Sequence, residues 1–187
     1  MNINENEYVF VNFTELTSKE KEIVLIWRND ISIRKWMYNS SEIKWEDHIR
    51  FIDSLGERKD RLYYLVKRND VSIGVFSLLD YTGKEGEWGY YLAPEYHGSN
   101  LGVEFYYAVL SYCFTYLKLE KLIGFALLSN VGANSLNRLF GFVSQVVTKD
   151  GYDEQYNSLF LSREIWQRSI VNDKKIKRLL KLTQNKV

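Results

Sequence analysis

Between a strand-like run at residues 87–92 and a long apolar run at 103–117 lies the segment His97, Gly98, Ser99, Asn100, Leu101, Gly102. Small residues let backbone approach a ligand closely. The first N–H groups of the helix expected from the apolar run have no intrahelical partners and sit at the positive end of its dipole. Such a segment can wrap a pyrophosphate, although its glycines serve equally as plain turn formers. Residue type closes off other chemistries. Cys113 is the only cysteine, so an intramolecular disulfide, a thiolate zinc cluster and a CxxC redox pair are all ruled out. Lys and Arg (25) nearly balance Asp and Glu (24), which argues against nucleic acid as the partner.

The elements that must position this loop follow from periodicity. The chain has 187 residues, 45% of them apolar and 16% aromatic, which suits one packed domain. Residues 8–13 read as a strand. Thr17, Ser18 and Glu20 form a capping-box pattern that opens a helix through Ile23, Ile26 and Trp27. A helix over 45–55 is expected to bury Trp45, Ile49 and Ile52, with His48 and Phe51 beside that stripe. Strands at 61–67 and 71–79 flank the turn signal Asn69-Asp70, and a turn at 81–86 leads into the strand at 87–92. After the helix at 103–117 come a strand at 121–128, a helix at 130–140, and a hairpin of 141–149 with 155–163 around Asp150-Gly151.

The result is an α/β domain over 1–165 in the order β-α-α-β-β-β-α-β-α-β-β. Residues 166–187 form a basic tail or helix, in which Lys174, Lys175, Lys177, Arg178, Lys181 and Lys186 face Asp173 alone. A solvated or frayed end is the plain reading of that tail, and an arm for an anionic partner the sharper one. The beginning, MNINENEYVF, lacks a basic leader, and no stretch approaches the ~20 apolar residues of a membrane span, so a cytoplasmic protein without membrane contact is expected.

The run EWGYYLAPEYHGSNLG, the long helix after it, and NVGANSLNRLFGF after the next strand resemble the GNAT superfamily of acetyl-CoA-dependent N-acetyltransferases. The resemblance implies a single domain with a mixed, mostly antiparallel sheet of about seven strands flanked by helices. Acetyl-CoA is the implied donor and no metal is required. Its pyrophosphate would lie on His97, Gly98, Ser99, Asn100, Leu101 and Gly102. Here His97 replaces the usual basic or amide residue and Asn100 a glycine, with Asn100 expected to supply the left-handed backbone. Backbone N–H groups of Tyr91, Leu92 and Ala93 would meet the acetyl oxygen, and Glu87 would serve as general base through water. Asn130 would bond the pantetheine arm. Asn137 stands where the superfamily often has an acidic tyrosine; an amide can hydrogen-bond the sulfur but yields no proton at neutral pH.

Segments NFTELTSKEKEIVLIWRN, KWMYNSSEI, HIRFIDSL and YYLVKRNDVSIGVFSL resemble the branch that acetylates UDP-4-amino-4,6-dideoxy-N-acetyl-β-L-altrosamine in pseudaminic acid biosynthesis. That resemblance implies a nucleotide-sugar acceptor held by Arg28 and His48, with Trp36, Met37, Tyr38, Tyr90 and Tyr91 lining the sugar or stacking on uracil. A monomer or homodimer is expected. Two alternatives stay open: a GNAT enzyme of protein N-terminal amines, which NSLNRLFGF also resembles, and a non-catalytic acetyl-CoA-binding module, which Asn100 and Asn137 would suit.

Overall fold

The computed structural model describes residues 2–3, 6–148 and 154–183. The expected turn at Asp150-Gly151 lies outside the described residues. The chain packs as two compact units, residues 1–81 with 89–99 and residues 82–88 with 100–187.

In the first unit, strands β1 (Asn2–Ile3), β2 (Asn6–Asn12), β3 (Leu62–Arg68) and β4 (Val71–Leu79) form an antiparallel meander. The β3–β4 turn is built on Asn69 and Asp70, both left-handed (φ 47° and 65°), as a tight hairpin of right-twisted strands requires. Helix α1 (Ser18–Asn29) begins with the capping box in place. Glu20 N–H donates to Thr17 Oγ1 (3.3 Å) and Thr17 N–H to Glu20 Oε2 (2.8 Å). Asp30 ends α1 and caps α2 (Ile31–Arg34), its Oδ1 accepting from Ser32 N–H at 2.8 Å. Helix α3 (Trp45–Ser54) completes the layer. Phe13, Val24, Trp27, Ile33, Ile52, Leu65, Val75 and Ala93 share one core. The buried stripe of α3 differs from expectation: it runs through His48, Ile52 and the following Leu55, while Trp45 is 39% exposed. Counting apolar residues alone rotates the helix away from a buried imidazole.

In the second unit the strand order is β5-β6-β8-β7, formed by β5 (Glu85–Leu92), β6 (Lys121–Leu127), β7 (Val143–Thr148) and β8 (Gln155–Ser162). Strand β5 runs through both units. Its parallel pairing with β6 needs a crossover, supplied by α4 (Leu101–Ser111). The pairing covers Glu85↔Lys121, Gly86↔Leu122 and Glu87↔Ile123 and ends there. The expected sheet of about seven strands is thus present, with the two-residue β1 as an eighth.

The apolar run that follows the loop is helical to Ser111 and widens into a π-type turn at Tyr112–Tyr116, closed by Leu117 N–H on Tyr112 O (2.9 Å) and by left-handed Lys118. Helix α5 (Val131–Leu139) is capped by Asn130, whose Oδ1 accepts from Ala133 N–H at 3.1 Å. Beyond β8 come α6 (Arg163–Ile165), a π-type turn (Trp166–Ile170) and α7 (Lys174–Thr183). Ile176 and Leu180 of α7 are buried, its stripe packed on α4, while its lysines stay exposed.

An aromatic group organises this unit. Trp88 stacks on Phe142 (5.0 Å) and meets Tyr106 edge-on (5.0 Å), and Tyr106 stacks on Phe140 (4.6 Å). Gly124 makes room for the indole: a Cβ there would stand 2.8 Å from Trp88 Cδ1.

Candidate functional site

Strand β5 feeds a 3₁₀ turn (Pro94–Tyr96) and then the loop at 97–102. The loop is braced by its own chain. His97 N–H donates to Pro94 O (3.1 Å) and Ser99 N–H to Tyr96 O (3.2 Å); Ser99 Oγ also donates to Tyr96 O (2.7 Å), and the His97 ring Nε2 donates to Leu92 O (3.1 Å). The left-handed residue is Gly98 (φ +75°), where an added Cβ would meet open space. Asn100 does not take the left-handed conformation expected of it. Its φ of −67° is right-handed, because it is the N-cap of α4 and leads straight into the helix. The Asn100 side chain makes no capping bond to α4, while its carbonyl accepts from Val103 N–H at 3.2 Å. A glycine turn followed by the N-terminus of an eleven-residue helix is an arrangement that can receive an anionic diphosphate.

Glu87 is the last β5 residue paired with β6. The expectation for Ala93 is corrected, since its N–H donates to Ile73 O (2.9 Å) and is unavailable to an acetyl oxygen. Successive N–H groups of an extended strand point to opposite edges, so the N–H of Leu92 is turned away from β4.

Within the first unit, Arg28 and Arg34 close the last turns of α1 and α2, where a cation complements the helix dipole. Arg28 Nη2 donates to Asn39 O (2.6 Å), Arg34 Nη1 to Ser40 O (2.8 Å), and Arg34 Nη2 lies 3.4 Å from Glu42 Oε1. Burial lowers the Arg28 pKa from its ordinary value; the Tyr91 and Tyr63 phenols oppose this and the Arg34 charge adds to it. Burial likewise raises the Tyr91 phenol. Tyr91 and Met37 pack against the first core, whereas Trp36 and Tyr38 are exposed, with Lys35 Nζ 4.8 Å from the Trp36 ring centre. Tyr90, beside Tyr91 on β5, has its phenol pKa raised by burial.

His48 is engaged within the fold. It is 4% exposed and its Nε2–H donates to Lys21 O (3.0 Å), which ties α3 to α1; burial lowers its pKa from 6.5. Arg34 was not legible as a partner of Arg28, because the Asp30 turn that joins α1 to α2 is what brings the two near each other.

In the second unit, Asn130, Asn134 and Asn137 follow one face of α5. Asn134 Nδ2 donates to Leu127 O (2.8 Å), and Asn157 Nδ2 donates to Asn134 Oδ1 (2.8 Å), so asparagines hold the helix onto β6 and β8. Asn137 is 3% exposed and its Oδ1 accepts from the hydroxyl of fully buried Tyr106. With Oδ1 so occupied, the NH₂ is the group that Asn137 offers. Asn137 also lines a recess with Asn134, Arg138, Ser144 and Asn157. A phenol thus lies beside the residue that replaces the expected tyrosine, but it comes from α4. Its signal in the sequence was a hydroxylated ring, next to Tyr107, in a largely apolar helix. Among the described residues, no group of three or more His, Cys, Asp or Glu is placed to hold a metal, and no helix is long and apolar enough to cross a membrane.

A glycine-bearing loop after a strand whose parallel pairing stops midway is an arrangement that an acyl-CoA-using transferase can employ, and the family comparison shows that class: residues 11–143 match the Acetyltransferase (GNAT) domain. The chain belongs to the GNAT acetyltransferase family and is an acetyl-CoA-dependent N-acetyltransferase. It is 32% identical over 141 residues to an acetyltransferase PseH of Campylobacter jejuni, covering 75% of this chain and 88% of that protein. The crystal structure of Campylobacter jejuni N-acetyltransferase PseH in complex with acetyl coenzyme A matches 83% of this chain and 99% of that one at 27% identity, with a TM-score of 0.65. Spermidine N-acetyltransferase from Vibrio cholerae, in complex with CoA and spermine, shares the fold at 16% identity, with a TM-score of 0.74 over 88% of this chain and 99% of that one.

Proposed function

We propose that this enzyme acetylates the 4-amino group of a UDP-linked amino sugar, UDP-4-amino-4,6-dideoxy-N-acetyl-β-L-altrosamine, in pseudaminic or a related nonulosonic acid biosynthesis. The product would serve surface glycans or flagellin, and the reaction would take place in the cytoplasm. The observation that carries the reading is the 32% identity to PseH over three quarters of the chain. It is supported by the resemblance of the N-terminal segments, which hold Arg28, to the sugar-nucleotide branch.

In this reading the neutral amine attacks the thioester carbonyl, the C–S bond breaks, and the amine's proton leaves through water to Glu87. The Leu92 N–H donates to the developing oxyanion. Gly98 to Gly102 and the start of α4 hold the CoA diphosphate. Asn137 offers its NH₂ to the departing sulfur. Arg28 binds the acceptor diphosphate, while His48 acts by fixing α3 against α1.

Mass spectrometry of a reaction containing acetyl-CoA and the 4-amino sugar nucleotide tests the reading. A product heavier by one acetyl group is expected. No acetylated sugar, with acetylation of an N-terminal peptide instead, would refute it. Arg28→Ala should raise the acceptor KM by about tenfold or more and leave that of acetyl-CoA unchanged.

A further inference from the structure

Two cations stand together in the first unit with incomplete hydrogen bonding. Arg28 Nη1 and Arg34 Nε are buried and have no hydrogen-bond partner. Each guanidinium is held elsewhere by a backbone carbonyl, Asn39 O for Arg28 and Ser40 O for Arg34. The carboxylate reaching the pair is Glu42, 3.4 Å from Arg34 and 71% exposed at its side chain. Two half-buried guanidiniums, each with one buried nitrogen lacking an acceptor, against one solvated carboxylate leave a demand for anionic oxygen.

The segment that supplies these acceptors is suited to giving way. Residues 38–42 are exposed and carry no helix or strand. Further along, Ile43 is anchored by Asn29 through both backbone groups: Asn29 Nδ2 donates to Ile43 O (2.9 Å) and Ile43 N–H donates to Asn29 Oδ1 (2.8 Å). In the stretch between, Asn39 and Ser40 each give one arginine a neutral carbonyl, and Glu42 gives Arg34 its carboxylate. A diphosphate offers each guanidinium a charged, forked acceptor in place of a single carbonyl oxygen.

We propose that Arg34 joins Arg28 in a two-guanidinium cradle for the diphosphate of the acceptor, and that Glu42 with the Asn39 and Ser40 carbonyls occupies the cradle until that anion displaces them. This rests on the nucleotide-sugar reading above and adds to it a second binding residue and a resident competitor. Diphosphate chemistry is shared by the acceptor and by CoA, so the test must separate the two.

Calorimetric titration of UDP, inorganic pyrophosphate, uridine and CoA into the full chain, as wild type, Arg34→Ala, Arg34→Lys and Glu42→Gln, does so. The wild type should bind UDP and pyrophosphate and bind uridine far more weakly. Arg34→Ala should weaken UDP and pyrophosphate by about tenfold or more and leave CoA unchanged. Arg34→Lys should fall between, because it keeps the charge and loses the fork. Glu42→Gln should tighten UDP by about two- to fivefold at low salt, the worth of a solvated ion pair.

UDP affinity indifferent to Arg34, or a loss shared equally with CoA, overturns the cradle. If circular dichroism shows that Arg34→Ala does not fold, Arg34→Lys and Glu42→Gln decide: unchanged UDP binding in both overturns it. Turnover of the amino-sugar nucleotide separates this inference from the reading beneath it. Pyrophosphate binding that depends on Arg34, with no turnover, removes the acceptor assignment and leaves the anion cradle. Turnover with UDP binding indifferent to Arg34 does the reverse.

Discussion

Removing one hydroxyl, in Tyr106→Phe, tests the pair that stands at the expected acid position. The phenol is fully buried and donates to Oδ1 of Asn137, itself 3% exposed. Phenylalanine keeps the ring stacked on Phe140 and edge-on to Trp88, so packing changes little. What is lost is the donor, and a buried acceptor without one costs about 1–3 kcal/mol. For a chain of this length that is a fall in melting temperature of about 2–4 °C per kcal/mol. Asn137→Leu should cost a similar amount by removing the acceptor that Asn137 offers the phenol. The double variant should cost less than the two together by about 0.5–3 kcal/mol, since removing both partners leaves neither unsatisfied. Denaturant unfolding of the four proteins gives the cycle directly. Additivity within about 0.5 kcal/mol would refute the bond. Kinetics supply the second arm: if Tyr106 fixes which end of the amide meets the sulfur, Tyr106→Phe lowers kcat more than it weakens CoA binding.

The CoA assignment predicts that Gly102→Glu, which adds bulk and negative charge at the start of α4, abolishes acetyl-CoA binding by calorimetry with the fold retained by circular dichroism; unchanged affinity would show that the loop is only a turn. Gly124→Ala should destabilise by about 1–3 kcal/mol in urea, because the new Cβ falls 2.8 Å from a Trp88 ring clamped by Phe142 and Tyr106. His48 is neutral in the fold and its pKa is lowered from 6.5 by burial, so below that value the unfolded chain binds a proton that the folded chain does not. Stability should therefore fall as pH drops below about 6.5, measured by urea unfolding at several pH values, and the part due to His48 should vanish in His48→Gln.

How much was legible depends on whether the signal is local. The capping box at Thr17 and Glu20 and the Asn69-Asp70 turn are settled by neighbours within four residues, and each appears as read. Contacts between distant segments were not legible. His48 is buried by a bond to a carbonyl 27 residues away, so an apolar stripe drawn through Trp45 misses the true face. Asn100 could have been the left-handed residue on propensity alone, but Gly98 takes that conformation without a Cβ penalty and frees Asn100 to start α4. Arg34 and Tyr106 escaped notice for a related reason: one is an ordinary basic residue ending a short helix, the other an aromatic in an apolar run, and only the partner of each makes it chemical.

The asparagines of α5 bear on how the thiolate leaves. Asn130 caps the helix, Asn134 bonds Leu127 O and accepts from Asn157, and Asn137 accepts from Tyr106, so each oxygen is spent on holding the helix in place. None of these amides can release a proton at neutral pH. In the proposed reading a helix fixed in this way would supply position and hydrogen bonding to sulfur but not acid, and a CoA thiolate, with a thiol pKa near the ordinary ~8.5, is a fair leaving group without one. The rate should then show no fall at high pH of the kind an essential phenol near pKa ~10 would impose, once acceptor ionisation is controlled. A fall that disappears in Tyr106→Phe would show instead that the α4 phenol has taken over the proton transfer, and that Asn137 serves only to aim it.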